Sequence, residues 1–157
     1  MARRFRNRGL LLTMTEPPRG MEEEFNAWYD EEHLPERLSI RGFRSARRWI
    51  SGRSYLATYE LDSAGVLASR QYLKFFRNPT PWTKRCLGKC VVFKRWACEQ
   101  IGAAEPHPRA RAIRLAFEEL ELKHLRLRRF RAASGETIFL YELAAPARGA
   151  YRLYKKA

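Results

Sequence analysis

The chain has 157 residues, room for one domain or one and a fragment. Hydrophobic residues at 45% and charged residues at 31% are ordinary globular usage and exclude a disordered or fibrous chain. The 31 Lys and Arg outnumber the 17 Asp and Glu by 14, which raises a nucleic-acid reading, while no apolar run approaches the ~18 to 20 residues of a membrane span.

The basic leader Met1 to Arg8 is not followed by a long apolar stretch with a small-residue cleavage site, so it does not read as a signal peptide. Gly9 to Thr15 reads as a buried strand, closed by the turn Pro17-Pro18-Arg19-Gly20. A helix is predicted from Met21 to about His33, with Glu22, Glu23 and Glu24 in its first turn and Pro35 stopping it just after His33. Phe25, Tyr29 and His33 share one face of it, with Trp28 beside them. Phe43 to Ile50 and Tyr55 to Leu61 are two strands joined by the tight turn Ser51-Gly52-Arg53. A second helix is predicted from about Ala64 to Phe76, broken by Asn78-Pro79-Thr80-Pro81-Trp82, and Cys90 to Trp96 is a fourth strand. Cys86, Cys90 and Cys98 lack the paired Cys-x-x-Cys spacing of a zinc site and fit reduced thiols better than a disulfide framework.

Residues 9–101 therefore read strand, helix, strand, strand, helix, strand, the order of a ferredoxin-like unit. Gly102 to Pro108 reads as a linker. Beyond it, Leu127 to Leu143 repeats Ala46 to Leu61 with one residue inserted: each holds an Arg-Arg-aromatic, a Ser-Gly turn and a Tyr-Glu-Leu. On this alignment Ala112 to Phe117 stands for the first strand and Pro146 to Lys156 for the start of the second helix, with no counterpart of the first helix. Residues 108–157 form an incomplete second repeat that completes or extends the fold.

Glu24 to Leu38, with its Phe-x-x-Trp-Tyr-x-x-x-His-x-Pro pattern, the Gly42-Phe43 that opens the next strand, and Tyr55 to Leu61 together resemble the dimeric α+β barrel superfamily, in its EthD-like branch. The resemblance covers residues 9–101 and reaches the remainder only through the internal repeat. It implies an α+β fold in which two four-stranded sheets close face to face into a barrel with helices outside. It also implies a pocket between sheet and helices and an acid/base role for the histidine at the position of His33. The short second copy favours a homodimer, because a missing helical cover leaves apolar surface to hide.

His33 is the leading catalytic candidate: imidazole takes and returns a proton near neutrality, and the last turn of a helix favours its charged form. The competing reading is a structural histidine that caps carbonyls or bonds Glu32 or Asp30. Tyr29, one turn earlier, can hydrogen-bond a carbonyl oxygen, and Trp28 can wall a pocket for a planar substrate; both also suit a helix core. Arg37 and Arg47 can fix a carboxylate or enolate, or lie solvated on the surface. Trp49, Tyr55 and Tyr59 are expected to share the sheet face inside the barrel, and Trp82 to lie on a loop that closes over the cavity. With His107 and His124 the cysteines form no recognisable metal set, and no nucleotide-binding glycine motif appears.

The expected function is cofactor-independent acid/base chemistry, as in a cyclase, isomerase or lyase, on a carbonyl-containing, aromatic or polyketide-like small molecule. The rival is a non-catalytic protein that holds a small molecule, or a nucleic acid or other anion, on a basic surface. Residues 107–157 carry 12 Lys and Arg against 5 acids, and Lys123 to Arg131 can form a basic stripe. No nucleic-acid-binding motif accompanies it. The expected setting is cytoplasmic, with no metal, cofactor or membrane partner.

Overall fold

The computed structural model describes residues 7–157 and shows eight antiparallel strands closed into one barrel. Most of the basic leader lies outside the described residues. In chain order the elements are β1 (Gly9–Glu16), α1 (Glu22–Trp28), a π-helical turn (Tyr29–His33), α2 (Leu34–Leu38), β2 (Phe43–Ser51) and β3 (Ser54–Leu61). A 3-10 turn (Ala64–Ala68), α3 (Arg70–Arg77), α4 (Pro81–Gly88) and β4 (Val92–Ile101) follow. The remaining elements are strands: β5 (Ala112–Ala116), β6 (Arg126–Ala132), β7 (Thr137–Leu143) and β8 (Tyr151–Lys156).

Around the barrel the strands run β4, β1, β3, β2, then β8, β5, β7, β6, and β6 returns to β4. Each half thus has the same internal order, and the seams β2–β8 and β6–β4 join them within one chain. The expectation of a helix near the C-terminus is corrected: Tyr151–Lys156 is the strand β8, in the place that β4 holds in the first half. Its alternation turns Tyr151 and Leu153 to the barrel core, which a helical period would not do.

Alternation along every strand divides the apolar side chains between the barrel interior and the outer faces of the two halves. Leu10, Leu12, Trp49, Leu56, Cys98, Phe130, Ile138 and Leu140 fill the barrel. Leu11, Ala46, Tyr55, Ala57, Tyr59 and Leu61 face outward and are covered by Phe25, Trp28, Tyr29 and Leu34 of the first helical layer and Tyr72 of α3. Trp49 therefore does not share a face with Tyr55 and Tyr59. It lies inside the barrel, and the two tyrosines lie between sheet and helices. The turn into β2 is fixed at Gly42, whose φ of 100° and approach to Val66 leave no room for a Cβ, which would sit 2.4 Å from Val66 Cγ2.

The helix carrying His33 does not stop at Pro35. The Leu34 N–H donates to the Tyr29 carbonyl five residues back, and this wide turn lets helical backbone continue past the proline to Leu38. The second predicted helix is divided into a 3-10 turn and α3, capped by Ser69, and the stretch expected to break it starts a further helix, α4, at Pro81, capped by Thr80. Trp82 is consequently a helical residue, half-buried against the outer core, rather than part of a closing loop.

The second half has no helices over its outer face. Residues 117–125 lie there as an irregular segment, and Leu120 and Leu122 pack on Ala112, Ala116 and Tyr141. The predicted linker is also structured. The Ala104 carbonyl accepts from Gln100 and Arg128, the His107 carbonyl accepts from Arg47, and the His107 N–H donates to Glu142 at 2.8 Å. These bonds satisfy polar atoms that the barrel would otherwise bury alone.

Inside the barrel, Arg128 makes a two-pronged contact with Glu60, at 3.1 Å for Nη1 to Oε2, and Arg47 reaches Glu142 at 3.4 Å. In the sequence repeat Arg47 aligns with Arg128 and Glu60 with Glu142. Each arginine thus pairs with the glutamate of the opposite half.

Candidate functional site

The helical layer and the outward face of β1, β3 and β4 border a cavity of about 350 Å³. Tyr29, His33, Glu36 and Arg37 line it from the first helical layer, Tyr72, Phe75 and Phe76 from α3, and Lys84 and Leu87 from α4. Leu11, Thr13, Tyr59, Phe93 and Arg95 form the sheet side. The size and aromatic lining suit a small planar molecule.

His33 sits deep in this wall. Its ring stacks on Trp28 at 4.4 Å and meets Tyr29 edge-on at 5.1 Å. Its buried Nδ1 has no hydrogen-bond partner, and neither Glu32 nor Asp30 bonds the ring. Glu32 instead accepts from Trp28 Nε1 at 3.1 Å and from the Thr80 hydroxyl at 2.8 Å, tying α1 to α4. The expectation of a charged imidazole is reversed: burial, then the nearby Arg37 and Arg48 guanidinium groups, hold His33 well below the usual histidine range. The helix-end argument fails because the chain stays helical beyond His33, so the ring meets no exposed carbonyl end. At neutral pH it is a neutral imidazole with a free lone pair.

Tyr59 faces the same space, and its buried hydroxyl also lacks a partner. Burial, then Tyr29, pushes its ionisation well above the ordinary tyrosine range, so it stays protonated. Glu36 accepts from Arg37 at 3.0 Å, and partial burial raises its carboxyl.

Of the nine residues singled out in the sequence, the structure brings His33, Tyr29, Arg37 and Tyr59 to the cavity. Trp28 lies behind His33 as its stacking platform, with Nε1 shared between Glu32 and Thr83. Tyr55 is buried in the outer core beside the cavity: its hydroxyl accepts from Asn26, and its ring is 5.1 Å from the buried Arg48 guanidinium. Arg48 also lies 3.9 Å from the Tyr29 ring centroid and donates to Asn26 at 2.8 Å, so it supports Tyr29 from beneath. Arg47 and Trp49 are inside the barrel, on the far side of the sheet from the cavity. Trp82 packs at the edge of the outer core.

Sequence reasoning missed Tyr72, Lys84, Phe93 and Arg95. A signal existed for Tyr72, because Tyr72, Phe75 and Phe76 recur at helical spacing and mark one face of α3. Arg95 carried none: an arginine on a strand is ordinary until the strand's outward face is known. Among the described residues no cluster of His, Cys, Asp and Glu can hold a metal ion, the three cysteines are free thiols, and no helix is long and apolar enough to cross a membrane.

No family model and no curated protein matches the chain. Its fold is that of two solved structures. One, an anthrone oxidase-like protein, is 9% identical with a TM-score of 0.67, over 96% of this chain and 93% of that one. The other, named "Putative monooxygenase", from Fusobacterium nucleatum subsp. nucleatum ATCC 25586, is 6% identical with a TM-score of 0.60, over 97% and 94%. The chain is an α+β protein with a closed eight-stranded antiparallel barrel, of the same fold as these two proteins.

Proposed function

We propose that the chain is a small-molecule enzyme of the dimeric α+β barrel type in which His33 acts as base on a carbonyl-containing aromatic substrate, without a cofactor. The observation that carries this reading is a neutral, unbonded imidazole in the wall of an aromatic cavity. A neutral imidazole accepts a proton from a carbon next to a carbonyl, and the electron pair of the broken C–H bond moves into an enolate. Arg37 and Tyr29, which line the cavity with His33, hold the enolate oxygen in this reading. The imidazolium then returns its proton to another carbon in an isomerisation, or to a leaving group or newly formed alkoxide in a lyase or cyclase.

A second outcome follows from the names of the structural neighbours, both of which describe oxidation. An enolate flanked by aromatic rings reacts with dioxygen: a CH2 group and O2 give C=O and water. Anthrone is a probe for both outcomes, because its CH2 is acidified by a carbonyl across the ring. Exchange of that CH2 in D2O, followed by NMR without oxygen, reports proton abstraction alone; oxygen uptake in air reports oxidation. The expected result is accelerated exchange that falls about a hundredfold or more in His33→Gln. Equal exchange in the two proteins removes His33 as base, and no acceleration by either favours the binding-protein alternative.

The same reading treats the two halves as ferredoxin-like repeats of the EthD-like branch and keeps the homodimer. The second half supports association, since Phe117 and Leu125 stand exposed on a face without helices. A monomer in sedimentation at micromolar concentration removes that part of the proposal.

A further inference from the structure

Three cavity cations differ in how they are neutralised. Arg37 has the Glu36 carboxylate beside it. Arg95 and Lys84 have no carboxylate partner among the described residues; Arg95 donates to the Tyr72 hydroxyl at 2.8 Å and lies 5.4 Å from the Phe76 ring centroid. Arg37 and Arg95 are both held against one aromatic ring, with guanidinium carbons 5.4 Å and 5.9 Å from the Tyr72 centroid. The cavity lining contains one acid, Glu36, against these three cations. A half-buried guanidinium bonded only to a phenol keeps donors free for a planar, two-oxygen acceptor.

The surrounding chain strengthens this bias. From Ser63 to Cys98 there is no Asp or Glu, while Arg70, Lys74, Arg77, Lys84, Arg85, Lys89, Lys94 and Arg95 are all cationic. That segment holds α3, α4 and the start of β4, the elements that form one side of the cavity. A single-sign field around a low-dielectric cleft concentrates anions at its mouth.

We infer that the cavity selects an aromatic ligand bearing a carboxylate, which seats on Arg95 beside Tyr72 and leaves the carbonyl-bearing part of the molecule toward His33. The inference names the substrate class for the site described above and rests on that reading only for the placement of the reacting carbon. Arg95 is assigned as the specificity-determining residue.

The test compares 2-naphthoate with 2-naphthamide, a neutral probe of nearly the same shape, by fluorescence titration of the full chain. The expected result is binding of the naphthoate about tenfold tighter or more, as for a hydrogen bond to a charged group. Arg95→Gln, checked for folding by circular dichroism, should abolish the preference and leave naphthamide binding unchanged. Arg131→Gln, an exposed charge in the second half, should retain it. The preference should also shrink as salt rises from 20 to 500 mM. Equal affinities in the native chain overturn the inference, as does a preference that survives Arg95→Gln or is lost equally in Arg131→Gln, which marks bulk charge. If Arg95→Gln does not fold, Lys84→Gln together with the salt series decides: a preference unmoved by both overturns it. Naphthoate preference in a protein that shows no anthrone exchange separates failure of the His33 reading from failure of this one.

Discussion

Tyr59 and Tyr141 occupy the same place in the two halves, each in a Tyr-Glu-Leu on the third strand of its sheet and each facing outward. Tyr59 points into a cavity with its hydroxyl unbonded, beneath helices. The Tyr141 hydroxyl accepts from the Leu120 N–H at 2.6 Å and lies 3.1 Å from the Leu120 carbonyl, because residues 117–125 lie where the first half keeps its space. One half satisfies the polar atoms of its outer face and the other leaves Tyr59 and His33 with buried polar atoms unsatisfied, which is what the proposed ligand site requires.

The largest effect should come from breaking what joins the halves. Glu142→Ala leaves Arg47 buried without a carboxylate and the His107 N–H without its acceptor. A loss of about 3 to 5 kcal/mol is expected in urea unfolding; a loss under about 1 kcal/mol would mean the barrel relaxes to hydrate the arginine. The tyrosine pair tests the comparison itself. Tyr141→Phe should cost about 1 to 3 kcal/mol by stranding the Leu120 backbone, whereas Tyr59→Phe should be neutral or stabilising, since the hydroxyl it removes has no partner. Equal costs would erase the distinction.

A smaller effect concerns pH. His33 is held below its unfolded value of ~6.5, so in acid the unfolded chain binds a proton that the folded chain refuses. Its neutral form is tolerated fully above that value, and stability should fall as pH drops below ~6.5 toward the folded value, by at most about 1.4 kcal/mol per pH unit. Urea melts between pH 7.5 and 5 should show this slope in the native chain and a shallower one in His33→Gln; identical slopes would place the titration elsewhere. The smallest effect belongs to the surface of the second half: Arg129→Ala, which breaks the exposed pair with Glu119 at 2.9 Å, should change stability by under about 1 kcal/mol.

The strands of the first half were legible because Leu10 to Met14 and Tyr55 to Leu61 are apolar enough to stand only in a sheet, and the second hairpin was legible by likeness to the first. β8 was not, since Pro146 to Lys156 follows the repeat of the first hairpin, and with only the first half as a template that position stood for the start of the second helix. The cavity was half visible. The Tyr29 to His33 spacing survives in the structure, but through a π-helical turn that no local rule announces around Pro35. Arg47 misled for a different reason: charged residues on alternate strand positions read as solvated, and only barrel closure shows that Glu142 is there to receive Arg47 and Glu60 to receive Arg128.

The crossed pairs have a kinetic meaning. Arg47 and Glu142 are 95 positions apart along the chain, and Arg128 and Glu60 are 68 apart. Neither pair can form until both sheets exist and the seams close, so the expectation is that these contacts form late in folding. Interactions absent from the transition state act mainly on the rate of unfolding. On that expectation, removing any of the four side chains that look like a static core shortens the time the barrel stays shut more than it slows its closing.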